Sequence, residues 1–294
     1  MEMLLGITGA GGHLGRRVVE VLLALVPAQR IRALTRRPEK LADLAARGVS
    51  VVEADFAKPE ALSRALAGVE RLLLISTDDL RPGARVALHR QAIEAAQRAG
   101  VRYIAYTSAV RADQTPVGFM RDHGETEALL RESGLAWTFL RNNLYAETLL
   151  MVAPQALQTG VLQLPAGEGR VAFVAREDCA RVAATVLVSP GHEGRIYDVT
   201  GPEALSYAEA VAVLSRLSGK PLRYEAVTPE AYRRAMAAAG LPEIVIEAMT
   251  SMYQGVAQGV FNLVTSVVQE VMGQPPLTLE QALEAHRAAL QASV

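Results

Sequence analysis

The strongest constraint on this chain lies in its first fifteen residues. An apolar run, Met3-Leu4-Leu5-Gly6-Ile7-Thr8, reads as a strand and leads straight into Gly9-Ala10-Gly11-Gly12-His13-Leu14-Gly15. Gly9, Gly12 and Gly15 have separate duties at that spacing. Gly9 lets the chain turn sharply out of the strand. Gly12 removes a Cβ where backbone N–H groups approach a pyrophosphate, and Gly15 lets the next helix pack on the sheet. The start of that helix offers unpaired N–H groups and the positive end of its dipole to phosphates. A glycine-rich turn with no ligand has the same spacing. The position after a strand and at the opening of a helix is what favours a phosphate loop.

The rest of the first half alternates short apolar runs with helical patterns. Strands are expected at Met3–Thr8, Ile31–Thr35, Val49–Ala54, Arg71–Ser76, Arg102–Thr107 and Ala136–Leu140. Helices are expected at Gly15–Leu25, Pro38–Ala46, Pro59–Leu66 and Arg85–Ala99, with His123–Glu132 inside another. Gly48, Gly68, Gly100 and Gly134 fall near helix ends, as C-terminal caps do. Such alternation specifies an α/β fold, a Rossmann-type doubly wound parallel sheet with right-handed crossovers over both faces.

Beyond about residue 145 the pattern loosens. Val171–Val174 and Arg195–Val199 read as strands and Arg176–Val188 as a helix. Ser206–Ser218 is a helix with a capping box, Ser206 and Glu209. Another helix opens at Thr228-Pro229, Glu243–Val271 is broadly helical, and Leu279–Leu290 closes the chain. The expected division is a nucleotide-binding domain over 1–150, completed by 176–200, and a smaller, mainly helical C-terminal substrate lobe over 151–294.

Composition narrows the class further. Half of the 294 residues are hydrophobic, 21% are charged and the formal net charge is −1. The cations are scattered, whereas nucleic-acid binders concentrate them on one face. No apolar run approaches the roughly 20 residues a spanning helix needs, and no leader pattern opens the chain. A single cysteine, Cys179, rules out an internal disulfide and fits a cytoplasmic protein. A monomer or homodimer, without nucleic-acid or membrane partners, is expected.

The second strand ends in Leu34-Thr35-Arg36-Arg37, with Lys40 a turn later. Sites for NADH usually place an acid here, for the ribose 2′-hydroxyl. Arginine instead suits the 2′-phosphate of NADPH, with charge-assisted hydrogen bonds. One such bond is worth roughly 1.5–3 kcal/mol, or about ten- to a hundred-fold in preference. Solvated loop cations are the bland alternative. Asp55 can accept from an adenine amino group or cap a helix, and Phe56 can offer an apolar contact. Ser76, Thr77 and Asp78 close the fourth strand, beside the expected nicotinamide end.

Many reductases of this fold protonate a carbonyl with a Tyr-x-x-x-Lys pair. Tyr103 and Tyr106 have no lysine four residues on, and the chain instead reads Arg121-Asp122-His123-Gly124-Glu125-Thr126-Glu127. His123 and Glu127 share a helix face. His123 reads either as a weak general acid oriented by the carboxylate or as a pocket-lining residue. Thr107 and Ser108 can hold a substrate oxygen or simply end a strand. Without a strong proton donor, acceptors that take hydride directly, such as quinones, cationic dyes and some azo compounds, fit best.

These residues resemble the NmrA-like branch of the atypical short-chain dehydrogenases, above all the type-2 quinone oxidoreductases and triphenylmethane dye reductases. Ile7-Thr8-Gly9-Ala10 through Leu14-Gly15 resembles the family's phosphate loop, with Gly11 where Thr is usual. Thr35-Arg36-Arg37-Pro38 resembles its Val-Arg-Asn-Pro segment. Tyr103–Ser108, His123 with Thr126-Glu127, Thr138–Tyr145 and Gly191–Gly194 with Tyr197 resemble later segments. Two departures stand out: Ala128 where Lys often follows Thr-Glu, and Asn143-Leu144-Tyr145 where quinone reductases often have Gly-Trp-Tyr.

The resemblance implies NADPH held between two lobes, hydride passed directly to a quinone-like acceptor, and no metal. The implied cofactor contacts are Gly9, Ala10, Gly11, Gly12, His13, Leu14, Arg36, Arg37, Asp55, Phe56, Ser76, Thr77, Leu140, Asn142, Asn143 and Tyr145. Ser108, Phe119, His123, Asn143 and Tyr145 are the substrate candidates, with Met151, Met252 and Tyr253 as an apolar wall. A non-catalytic NADP(H)-sensing regulator and an azo or triphenylmethane dye reductase are the alternative readings.

Overall fold

A computed structural model describes residues 3–292. The first half builds β1 (Leu4–Ile7), α1 (His13–Leu22), β2 (Ile31–Thr35), α2 (Ala42–Ala46), β3 (Ser50–Glu53) and α3 (Pro59–Ala65). It continues with β4 (Val69–Leu74), α4 (Ala84–Arg98), β5 (Tyr103–Ala109), α5 (Gly118–Glu132) and β6 (Ala136–Asn142). Then come α6 (Leu149–Thr159), β7 (Val161–Leu164), β8 (Arg170–Val171), α7 (Arg176–Val188), β9 (Arg195–Val199) and β10 (Leu205–Ser206). The chain closes with α8 (Tyr207–Ser218), β11 (Arg223–Ala226), α9 (Pro229–Ala238), α10 (Glu243–Ala257), α11 (Val267–Met272), α12 (Leu279–Glu284) and α13 (Arg287–Ala292).

Two compact units emerge. The first runs to Asp113 and adds Asp122–Arg141 and Cys179–Tyr197; the second takes Gln114–Arg121, Asn142–Asp178 and the chain from Asp198 onward.

The first unit is organised by a seven-stranded sheet in the order β3-β2-β1-β4-β5-β6-β9. The pairings of β2 with β3 and β1, and of β4 with β1 and β5, are parallel. Residues Leu72–Leu74 of β4 and Tyr103–Ser108 of β5 are buried without alternation. That is the pattern of strands covered on both faces by crossover helices. On α1 the buried residues are Leu14, Gly15, Val18, Val19 and Leu22, one stripe at helical spacing. On α4 the buried stripe starts polar, with Arg85 and His89, and continues apolar through Ala92, Ile93 and Ala96. Its apolar part joins Leu62, Leu66, Ile104, Leu130 and Phe139 in one core cluster. Each large aliphatic side chain so buried contributes roughly 1.5–3 kcal/mol of transfer free energy.

The sheet order places a switch between β1 and β4, where the chain winds first to one side and then to the other. Ligands of open α/β sheets bind outside the strand ends at such a point.

The second unit carries small sheets. β11 runs parallel to β7, from Arg223 opposite Val161 to Ala226 opposite Leu164, and β10 pairs antiparallel with β8. Helix α8 opens with the capping box formed by Ser206 and Glu209. The stretch Glu243–Val271, broadly helical by pattern, is broken: α10 stops at Ala257, and Gly259 adopts a φ of 76°. Tyr207, Tyr232 and Tyr253 stack edge to face in the core of this unit. None of the helices among the described residues is long and apolar enough to cross a membrane.

Candidate functional site

The ends of β1 to β4 open onto a cavity of about 350 Å³ within the first unit. Gly9, Gly11 and Gly12 line it from the β1 end; Thr35, Arg36, Arg37 and Lys40 from the β2 end. Ala54, Asp55 and Phe56 follow β3, Ile75–Asp78 follow β4, and Leu88 reaches in from α4.

The β1 end is a cradle made of backbone. Gly9 has a φ of 60°, a conformation glycine adopts without cost. A Cβ at Gly15 would collide with the Gly9 carbonyl, so only glycine lets α1 start this close to the strand. Helix α1 has neither a side-chain cap nor an acid in its first turn, so no side chain of that turn competes with an anion for its opening N–H groups. Glycine at position 11 also has a local reason. A Cβ there would lie 2.7 Å from Thr35 Oγ1, and that hydroxyl accepts from the Arg37 N–H at 3.2 Å. Thr35 thus takes space beside the loop while shaping the turn that exposes Arg36 and Arg37.

Two threonines stitch the β4 end. Ile75 N–H donates to Thr8 Oγ1 at 2.8 Å and Ser76 N–H to Thr107 Oγ1 at 2.9 Å. Asp55 Oδ1 accepts from Ala57 N–H at 3.0 Å, a turn bond that leaves its second oxygen beside the cavity.

Behind the cavity wall lies a buried polar cluster. His89 accepts at Nε2 from Thr77 N–H, 3.1 Å. A backbone N–H can only donate, so the ring proton sits on Nδ1 and is donated to Thr126 Oγ1 at 2.9 Å. Arg85 Nε donates to the Thr77 carbonyl at 3.0 Å, and Arg85 Nη1 approaches His123 Nε2 at 3.4 Å. Since guanidinium only donates, neutral His123 carries its proton on Nδ1 and gives it to the Tyr106 hydroxyl, 2.8 Å away. Burial, with Arg85 alongside, pushes His89 down to about 3. Burial first, then Arg85 and His89, holds His123 well below the usual histidine range. Gly124 lets α5 approach here, for a Cβ would meet the Ala112 carbonyl at 2.6 Å.

The pairing of His123 with Glu127 suggested by helix spacing does not form. Fully buried Glu127 accepts from Arg141 at 2.8 and 2.7 Å and from Ser108 at 2.6 Å. Its oxygens are engaged by a β6 arginine whose own charge needs them. Ser108, a substrate candidate by sequence, is buried and donates its hydroxyl to this carboxylate.

Of the sequence candidates, the cavity unites Gly9, Gly11, Gly12, Arg36, Arg37, Asp55, Phe56, Ser76 and Thr77. Ala10 and Leu14 are buried beneath the loop, His13 is exposed at the start of α1, and Leu140 is buried in β6. Asn142, Asn143, Tyr145 and half-buried Phe119 belong to the second unit. Asn142 donates to the Tyr145 hydroxyl at 3.1 Å, and its buried Oδ1 has no donor among the described residues. The Asn143 amide ties the backbone, to Phe261 O at 3.0 Å and Leu144 N at 2.8 Å. Tyr253 is core and Met151 is 74% exposed, so they do not form one wall. Sequence reasoning missed Thr35, Ala54, Ile75 and Leu88. Thr35 had a signal, as the last residue of a strand leading to the glycine loop's neighbour; Leu88 had none.

The strand order, the switch point and the glycine cradle define a Rossmann-type nucleotide-binding α/β protein. Comparison with known proteins agrees: the NmrA-like family's sequence model matches residues 1–285, and the chain belongs to that family. It is 39% identical to quinone oxidoreductase 2 of Escherichia coli (strain K12) over 95% of this chain and 97% of that one. It is 36% identical to an NAD(P)H azoreductase of Xenophilus azovorans over 98% and 99%. Among solved structures, the NADPH complex of an Escherichia coli NADPH-dependent quinone oxidoreductase superposes with a TM-score of 0.91 at 39% identity, covering 96% and 99% of the chains. Citrobacter sp. triphenylmethane reductase superposes at 0.90 with 32% identity, covering 97% and 100%.

Proposed function

We propose that this chain is an NADPH-dependent oxidoreductase that reduces quinones or similar electron-poor aromatics, azo and triphenylmethane dyes included. The observation that carries the reading is a backbone anion cradle and exposed arginines on one cavity at the sheet's switch point. The residues fit the cofactor. Glycines 9, 11 and 12 present backbone without side chains to the space a pyrophosphate needs, and no acid lines the β2 end to repel a 2′-phosphate. Arg36 and Arg37 would hold that phosphate, Asp55 and Phe56 the adenine, and Ser76 and Thr77 the segment toward the nicotinamide.

When bound, NADPH supplies a hydride at its nicotinamide ring. The chain's own part is to bind, orient and exclude water. His123 is neutral at pH 7 and its Nδ1–H is donated to Tyr106, so it does not act as an imidazolium acid. Tyr106 is fully buried, which pushes its hydroxyl above the ordinary tyrosine range and keeps it protonated. With no strong acid there, acceptors that take hydride before they need a proton are favoured over simple ketones. Asn142 Oδ1 remains a proposed ligand acceptor, since a ligand amide or hydroxyl would supply its missing donor. A cytoplasmic setting is in keeping with the single, buried cysteine, and a monomer or homodimer is the assembly we propose.

The test follows NADPH oxidation with a panel of quinones and dyes. Turnover with several of them supports the reading. Binding of NADPH without oxidation by any acceptor leaves a sensor instead, and no binding of either nicotinamide coenzyme removes the proposal.

A further inference from the structure

The segment after β4 that lines the cavity has no regular secondary structure from Ile75 to Leu80, yet both backbone groups of Thr77 are held by buried side chains of one helix. The Thr77 N–H donates to His89 Nε2 at 3.1 Å, and its carbonyl accepts from Arg85 Nε at 3.0 Å. His89 is fully buried and Arg85 is 5% exposed. They stand four residues apart on α4, so one helix face grips one residue from both sides. The same two side chains continue to α5, His89 through Thr126 and Arg85 toward His123. A buried cation and a buried imidazole facing an otherwise irregular loop are costly unless each is hydrogen-bonded. Thr77 satisfies part of that requirement for both.

We propose that Arg85 and His89 are positioning residues that clamp the Thr77 peptide and so set the shape of the cavity wall where the ligand's reacting end is received. The inference rests on the dinucleotide reading of the cavity only for its affinity readout; the clamp itself is a property of the ligand-free chain.

Paired variants at His89 separate the clamp from general packing. In His89→Gln the side-chain carbonyl stands near the place of Nε2 and can still accept from Thr77. In His89→Asn the amide stands near the place of Nδ1 and serves Thr126 only. Loss of the Thr77 bond should weaken NADPH binding about tenfold in His89→Asn, the value of one hydrogen bond of about 1.4 kcal/mol. His89→Gln should stay within about threefold of the parent. Binding is read by fluorescence titration with NADPH. KM for NADPH should rise in His89→Asn with kcat changing less.

The second measurement is amide hydrogen exchange of Thr77 in the protein without cofactor. It should be protected in the parent and in His89→Gln, and opened about tenfold in His89→Asn. Equal losses in both variants, or a Thr77 amide that exchanges in the parent as fast as a free peptide, overturns the clamp. The exchange result holds even if the parent binds no NADPH, in which case the proposed function fails while the clamp is still decided. Should both variants fail to fold, exchange in the parent alone decides it.

Discussion

At the β1 end, the surface offered to a ligand is backbone: a turned glycine, a helix start without a cap, and side chains absent where they would intrude. Across α4 and α5 the arrangement depends on which side chain reaches which, with His89, His123, Tyr106 and Glu127 each fixed by partners from other elements. The cradle therefore depends on three or four positions near one another in sequence. The cluster depends on residues from 77 to 141 and tolerates no unpaired member.

This contrast is open to test. Among substitutions, the largest effect should come from Glu127→Ala, which strands Arg141 with only half-exposed Asp113 at 3.1 Å. Breaking a buried pair costs about 3–5 kcal/mol, seen as a fall in the urea midpoint. Unaltered stability would mean that the cluster is not the framework described.

Arg36→Ala should do the reverse. Stability should change by less than about 0.5 kcal/mol, while NADPH affinity drops by about ten- to a hundred-fold and NADH affinity hardly moves. Equal losses for the two coenzymes would remove Arg36 from the 2′-phosphate.

Acid provides a third probe. His89, pushed down to about 3 by burial and then Arg85, and His123, well below its usual range, are folded as neutral rings. In the unfolded chain each titrates near about 6.5. Below that pH the unfolded state binds protons that the folded state refuses. Stability is thus full above about 6.5 and declines in acid, by up to about 1.4 kcal/mol per pH unit for each ring. Urea midpoints between pH 8 and 4.5 check this, and a flat profile contradicts it.

Within the cluster the smallest effect is expected for Tyr106→Phe. Removing the acceptor leaves the His123 N–H without its partner, which should cost about 1–3 kcal/mol of stability and leave the Michaelis constant for NADPH within about twofold. A large change in that constant would mean that the cluster reaches the ligand more directly.

The same contrast governs what could be read from sequence. The alternation of strand and helix, the switch-point fold and the glycine cradle follow from local pattern and backbone sterics, and the β2 arginines follow from their place in that pattern. The His123–Glu127 pairing failed because helix spacing reports only which residues share a face. The carboxylate was claimed by Arg141, fourteen residues away on a strand. Strands β7 and β11 carried little signal, being four residues each and partly exposed. The break after α10 lay in one glycine, Gly259, inside an otherwise helical run.

The contact between Gly11 and Thr35 makes these two positions a matched pair. Any side chain at position 11 would bring a β-carbon that presses on the Thr35 hydroxyl. Grafting a loop with a side chain at 11 into this scaffold would therefore force the Thr35 hydroxyl to move from the place where it accepts from Arg37 N–H. Engineering that treats the two segments as interchangeable cassettes would disturb the arginine turn before it altered any contact with phosphate.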